Sequence, residues 1–129
     1  MAVRTHDAGK LEVTRDVEPA ALRDLLEDPP RATVALLDHD RVDALPVRYR
    51  LDGGTHLIGV ASEATVAIEG REVLLVIDDG AYWFELRGVS VRGVATRIDA
   101  PDGDRGGHAW YAIAPRRVLG WDYGAIRRV

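Results

Sequence analysis

The chain has no cysteine, so it can form no disulfide, carries no thiolate nucleophile, and offers no sulfur ligand to zinc or an iron–sulfur cluster. Lysine is almost as scarce: Lys10 is the only one, and a lone amine near a loose terminus is a poor Schiff-base candidate. Serine occurs only at Ser62 and Ser90, neither in a Gly-x-Ser-x-Gly elbow, which argues against a serine hydrolase. No apolar run approaches the roughly 18 residues needed to cross a bilayer, so a membrane is not an expected partner. The opening MAVRTHDAGKLEVTRD has scattered charge and no apolar stretch of the secretory kind, and a cytoplasmic location is expected. Basic blocks are missing too: a net charge of -4 is spread along the chain, so nucleic acid, whose phosphates require a concentrated basic footprint, is not an expected partner.

What is present is an ordinary globular composition, 47% hydrophobic and 29% charged over 129 residues, enough for one core. Residues 1–15 lack periodicity and are expected to form a mobile arm, with a single domain over 16–129. Asp16 and Pro19 supply a cap and a first-turn proline for a short helix, Leu22, Leu25 and Leu26 line one face of it, and Pro29-Pro30 ends it. From Ala32 the pattern becomes β: residues 32–37, a polar turn at Asp38-His39-Asp40, and a strand over 43–51. Asp52-Gly53-Gly54 then turns the chain into a strand over 55–60.

Ser62 is placed to cap a brief second helix through Ile68, and Val73-Leu-Leu-Val-Ile77 has the continuous apolar character of a fully buried strand. The segment from Tyr82 to Ile98 alternates with a change of phase near Gly93, which predicts a β-bulge there. After a Gly-rich loop at 101–107, two last strands flank Pro115. Six or seven antiparallel strands, two small helices and one strongly bent strand predict a mainly β fold, a closed or nearly closed barrel.

None of His6, His39, His56 and His108 is spaced from another like a metal pair, so no metal site is expected. Asp residues cluster in turns, where they serve local backbone bonds, and no carboxylate dyad stands out. Arg48 and Arg50 alternate with Val47, Tyr49 and Leu51. That is the pattern of a solvated strand face, and equally of a guanidinium clamp for phosphate or carboxylate. Tyr82-Trp83-Phe84 cannot form a single cofactor wall, because consecutive strand residues point to opposite faces, and it reads as core plus interface. Trp121 at the end of the last strand is either packing or a ligand-contacting aromatic.

Taken in order, the helix, Ala32-Thr33-Val34-Ala35-Leu36, Leu45-Pro46-Val47-Arg48-Tyr49, Val73-Leu-Leu-Val-Ile-Asp78 and the Pro115-Arg-Arg-Val-Leu-Gly-Trp-Asp-Tyr123 tail resemble the pyridoxamine 5'-phosphate oxidase-like split β-barrel family over residues 17 to about 124. The resemblance implies a homodimer that binds FMN or a deazaflavin (coenzyme F-420) at the subunit interface and transfers hydride to or from a small-molecule substrate. It places Pro46, Val47, Arg48 and Tyr49 against the ring, Ala61 and Ser62 at the phosphate, and Trp121 near a partner's cofactor. The chain departs from the family where a basic residue normally meets the phosphate: Glu63, Ala64 and Thr65 stand there, which leaves Arg48 and Arg71 as substitutes. Asp40-Arg41-Val42 likewise replaces the usual Gly-x-Pro. Two alternatives follow from these departures, a split barrel without cofactor that binds another ligand or only pairs with itself, and an unrelated small barrel with an apolar cavity.

Overall fold

Residues 43–51 read as one strand, but they fall in two that serve different neighbours. The structure is a computed structural model that describes residues 16–38, 40–64, 66–82 and 85–124. Its elements begin with β1 (Asp16–Val17), a 3-10 turn (Pro19–Leu22), α1 (Arg23–Glu27) and β2 (Arg31–Asp38). The remaining strands are β3 (Arg41–Pro46), β4 (Arg48–Asp52), β5 (Thr55–Ala61), β6 (Glu72–Asp79), β7 (Arg87–Ile98) and β8 (His108–Asp122). All pairings are antiparallel, the sheet order is β3-β2-β6-β7-β8-β5-β4, and β1 adds to β8. Because β3 and β4 lie at opposite ends of this order yet join at Val47, the chain itself closes the sheet into a barrel. Proline lacks an N–H for a ladder, so Pro46 suits the place where the strand leaves β2 for β5. The amide of Val47 makes the last bond to β2, donating to the carbonyl of Ala32 at 3.0 Å. Among the described residues no helix is long and apolar enough to cross a membrane.

Alternation fills the interior. Val34, Leu75, Ile77, Val89 and Val91 have no exposed surface, and each such aliphatic side chain contributes about 1.5–3 kcal/mol by leaving water. Leu22, Leu25 and Leu26 of the helical segment pack onto the same core. The segment starts at Pro19 as expected, but its N-cap is Glu18, and Asp16 lies in β1 paired with Trp121.

Five further details differ from the sequence expectation. No helix follows Ser62: residues 62–63 are a turn and 66–68 have no regular structure, since a short stretch bearing Val66 and Ile68 gains more by burying Ile68 against the barrel than from helical propensity. The final strand is continuous through Pro115, and the irregularity belongs to β8, where Arg92 pairs with Arg117 and Gly93 with Pro115, leaving Arg116 as the extra residue. The parity change is accordingly in β8, with Ala109, Tyr111 and Ile113 inward before the bulge and Val118 after it, whereas β7 buries Val89, Val91 and Ala95 without a change of phase. Strand β7 begins at Arg87 rather than at Tyr82, and Trp83 and Phe84 lie outside the described residues, as do the expected arm and His39. Finally, β6 is buried on one side only: Leu74 and Val76 turn to the outer surface and are half-buried there.

Candidate functional site

The departure of β4 from β2 leaves a cleft. Beyond Val47, β4 pairs only with β5, so its other edge carries backbone N–H and C=O groups with no ladder partner. This edge (residues 47–50) faces residues 29–32 at the start of β2 across a cavity of about 360 Å³, roofed by residues 101–104 and by Trp110. That volume lies within the roughly 300–1,000 Å³ of small-molecule sites.

Three guanidiniums reach the cleft, with different commitments. Arg31 bonds the carboxylate of Asp78 at 2.7 Å and the carbonyl of Gly80 at 2.8 Å. Arg50 donates to the carbonyl of Asp102 at 2.6 Å and so ties the roof to the strand. Arg48 makes no hydrogen bond or ion pair among the described residues and is exposed, leaving its forked donors for a ligand. Asp102 and Asp104 contribute carboxylates at the rim.

Behind β4, Tyr49 faces the barrel interior, and its hydroxyl lies 2.6 Å from Nδ1 of His56, a residue only 7% exposed. Burial holds the phenol above its usual range and pushes the imidazole below its own, so both groups are neutral at pH 7. The two rings lie 5.8 Å apart. Next to the Arg31–Asp78 pair, Arg87 meets Asp79 and Asp24, each at 3.0 Å, and these hydrogen bonds raise the guanidinium pKa and lower that of Asp24. This pair of bridges ties α1 to the sheet.

The residues expected at a cofactor are only partly gathered. Val47, Arg48 and Tyr49 line the cleft, and Pro46 immediately precedes them. Ala61 and Ser62 close β5 beside its partner β4, about 10 Å along the strand from Gly59, the residue opposite Arg48. The amide of Ser62 donates to the carbonyl of Gly107 at 2.9 Å, and Glu63 is exposed in the turn that follows. Arg71 lies elsewhere: it donates to the carbonyls of Leu37 and Ala67 and borders a second cavity of about 590 Å³ on the outer face of β2 and β6. Trp121 is half-buried at the end of β8 remote from His108, the residue paired with Ala61, so one protomer does not bring it to the cleft. The second cavity is larger, but its floor is apolar strand surface with Leu37 and Val42 61% and 74% exposed, which suits a macromolecular contact better than a small ligand.

Sequence reasoning missed Trp110 and the 101–104 roof. Gly59 was the signal for Trp110, since a glycine inside a strand marks a close approach. A Cβ at Gly59 would stand 2.7 Å from Cζ2 of the indole.

Comparison with solved structures identifies the fold. A FAD-binding protein from Mycobacterium smegmatis superposes with a TM-score of 0.69 at 18% identity, over 81% of this chain and 95% of that one. A candidate pyridoxamine 5'-phosphate oxidase from Corynebacterium glutamicum gives 0.62 at 17% identity, over 88% and 95%. The fold is the pyridoxamine 5'-phosphate oxidase-like split barrel. A FAD-binding protein from Mesorhizobium loti shares it, with a TM-score of 0.62 at 12% identity over 86% of this chain and 99% of its own. No family profile and no curated protein sequence matches the chain. The cleft is the gap opened where the chain passes from β3, paired with β2, to β4, paired with β5.

Proposed function

We propose that this protein binds a flavin-type cofactor in the β2–β4 cleft and acts as an oxidoreductase on a small organic molecule. The reading is carried by the unpartnered edge of β4 beside the uncommitted guanidinium of Arg48. A strand edge offers alternating donors and acceptors to the uracil-like rim of a flavin, and Arg48 offers a bidentate cation to its phosphate. Structural neighbours named as FAD-binding proteins support a flavin of some kind. When bound, such a cofactor supplies the hydride chemistry, and the protein's part is to orient it and exclude water. FMN, FAD and a deazaflavin are the ligands to test, with FMN or a deazaflavin expected from the sequence. A cysteine-free chain suits a reducing cytoplasm.

We further propose that the protein works as a homodimer. The outer face around Leu37 and Val42, continuous with half-buried Leu74 and Val76, is the surface that a second copy would cover.

The rival reading, a split barrel that binds another ligand or none, draws on three observations: Glu63 at the phosphate turn, the engaged amide of Ser62, and the missing second helix with its positive end. Titration of the purified protein with FMN, FAD and the deazaflavin coenzyme, followed by quenching of tryptophan fluorescence, separates the two. Saturable binding of one of them, weakened at least tenfold in Arg48→Ala, is the expected result; indifference to all three would leave the rival.

A further inference from the structure

Trp110 carries a buried polar atom without a partner. Its side chain is 5% exposed, and the indole Nε1 is sealed from solvent with no acceptor among the described residues. A buried donor left unpaired is costly, and native proteins leave few of them. The ring's position limits where an acceptor would come from. Cζ2 and Cε2, the atom bonded to Nε1, lie over Gly59, where an added Cβ would stand 2.7 and 2.8 Å away. Gly59 pairs with Arg48 on one side and Trp110 itself on the other. The benzo side of the indole thus lies over β5 next to β4, and Trp110 borders both the cleft and another hollow formed with Ile98 and His108.

The cleft offers as donors the indole N–H, the uncommitted Arg48 and the amides of the β4 edge, beside that edge's carbonyls and the rim carboxylates of Asp102 and Asp104. Val47 and Pro29 supply apolar wall. We infer that Trp110 is a ligand-contacting residue, whose indole N–H donates to a carbonyl, carboxylate or phosphate oxygen of an anionic, ring-bearing molecule held in the cleft, with Arg48 as the countercharge. The inference rests on the cleft being the binding site, as in the proposed function, but not on the ligand being a flavin. Arg50 holds the 101–104 segment at the cleft by its bond to the carbonyl of Asp102.

The test follows the Trp110 indole proton by NMR in the full-length protein, assigned by its loss in Trp110→Phe, which keeps a ring over Gly59 but removes the donor. On titration with FMN the expected result is a downfield shift of that resonance and roughly tenfold weaker binding in Trp110→Phe. Because phenylalanine leaves part of the buried indole volume empty, affinities are compared at a temperature where both ligand-free proteins are fully folded. FMN binding that leaves the resonance and the variant's affinity unchanged would overturn the inference. If FMN, FAD and the deazaflavin all fail to bind, the flavin reading falls, and the same resonance is followed with phenyl phosphate and benzoate. A shift with either, abolished or weakened in Trp110→Phe, upholds the role of Trp110, and no shift with either overturns it.

Discussion

The hydroxyl of Tyr49 and Nδ1 of His56 stand 2.6 Å apart on neighbouring strands, the one direct side-chain hydrogen bond of the described barrel interior between β4 and β5. Each satisfies the other in a setting where either alone would be an unpaired buried group.

The pair predicts how stability depends on acid. Burial lowers the folded-state pKa of His56 below the ordinary imidazole value of 6.5, so the unfolded chain binds the extra proton first as pH falls. The stabilisation is complete above about pH 6.5 and is lost progressively below it, as pH falls toward the lowered folded value. Urea midpoints measured at pH 7.5 and pH 5 should fall toward the acid side, and His56→Gln should flatten that part of the profile. An unchanged slope in the variant would show that other groups govern it.

Tyr49→Phe should cost about 1–3 kcal/mol, because the ring volume is kept while Nδ1 of His56 loses its partner inside the barrel. Chemical denaturation at pH 7.5 measures it, and a neutral result would mean that His56 finds another partner on relaxation.

Gly59→Ala should destabilise by about 1–3 kcal/mol, since the new methyl would meet the indole of Trp110 at 2.7 Å and force the ring off the strand. Tryptophan emission should move to longer wavelength as the indole becomes wetter. A native spectrum with native stability would refute the close approach.

Gly93→Val should be worse, about 3 kcal/mol or more, because a Cβ there would run into the carbonyl oxygen of Ala114, which is backbone and cannot swing aside. The expected readout is a large drop in soluble yield and thermal midpoint. The Arg92 position next to it is exposed, so Arg92→Val serves as the control and should be nearly silent.

Val42→Asp should convert a dimer into a monomer by light scattering while leaving the thermal midpoint of the monomer nearly unaltered, as Val42 is 74% exposed in one chain. A protein that is monomeric before the substitution would remove the homodimer from the proposal.

Much of the architecture was legible because strand patterning and turn chemistry are local. The turn at Asp52-Gly53-Gly54, the strands over 32–37, 55–60 and 73–77, and the short Leu-rich segment stopped by Pro29-Pro30 all follow from residues a few positions apart. The bulge illustrates the limit. Gly93 correctly marked an irregularity, yet the extra residue is Arg116 on the neighbouring strand, because a glycine accommodates the carbonyl that a partner's bulge pushes toward it. The expected helix after Ser62 failed for a similar reason: a capping serine is a local signal, whereas the burial of Ile68 is a tertiary one that outweighed it.

For the site the division is sharper. The sequence by itself determined which chemistries were unavailable, through its missing cysteines, its single lysine and its two serines, and it determined an arginine-bearing strand beside Pro46. Only the tertiary structure decided that this strand parts from β2 at Val47, that Arg31 and Arg50 are occupied while Arg48 is not, and that Trp110 and the 101–104 roof join them. A residue's type fixes what bonds it can make, but whether a guanidinium or an indole N–H has already spent its donors depends on groups brought near it from distant parts of the chain.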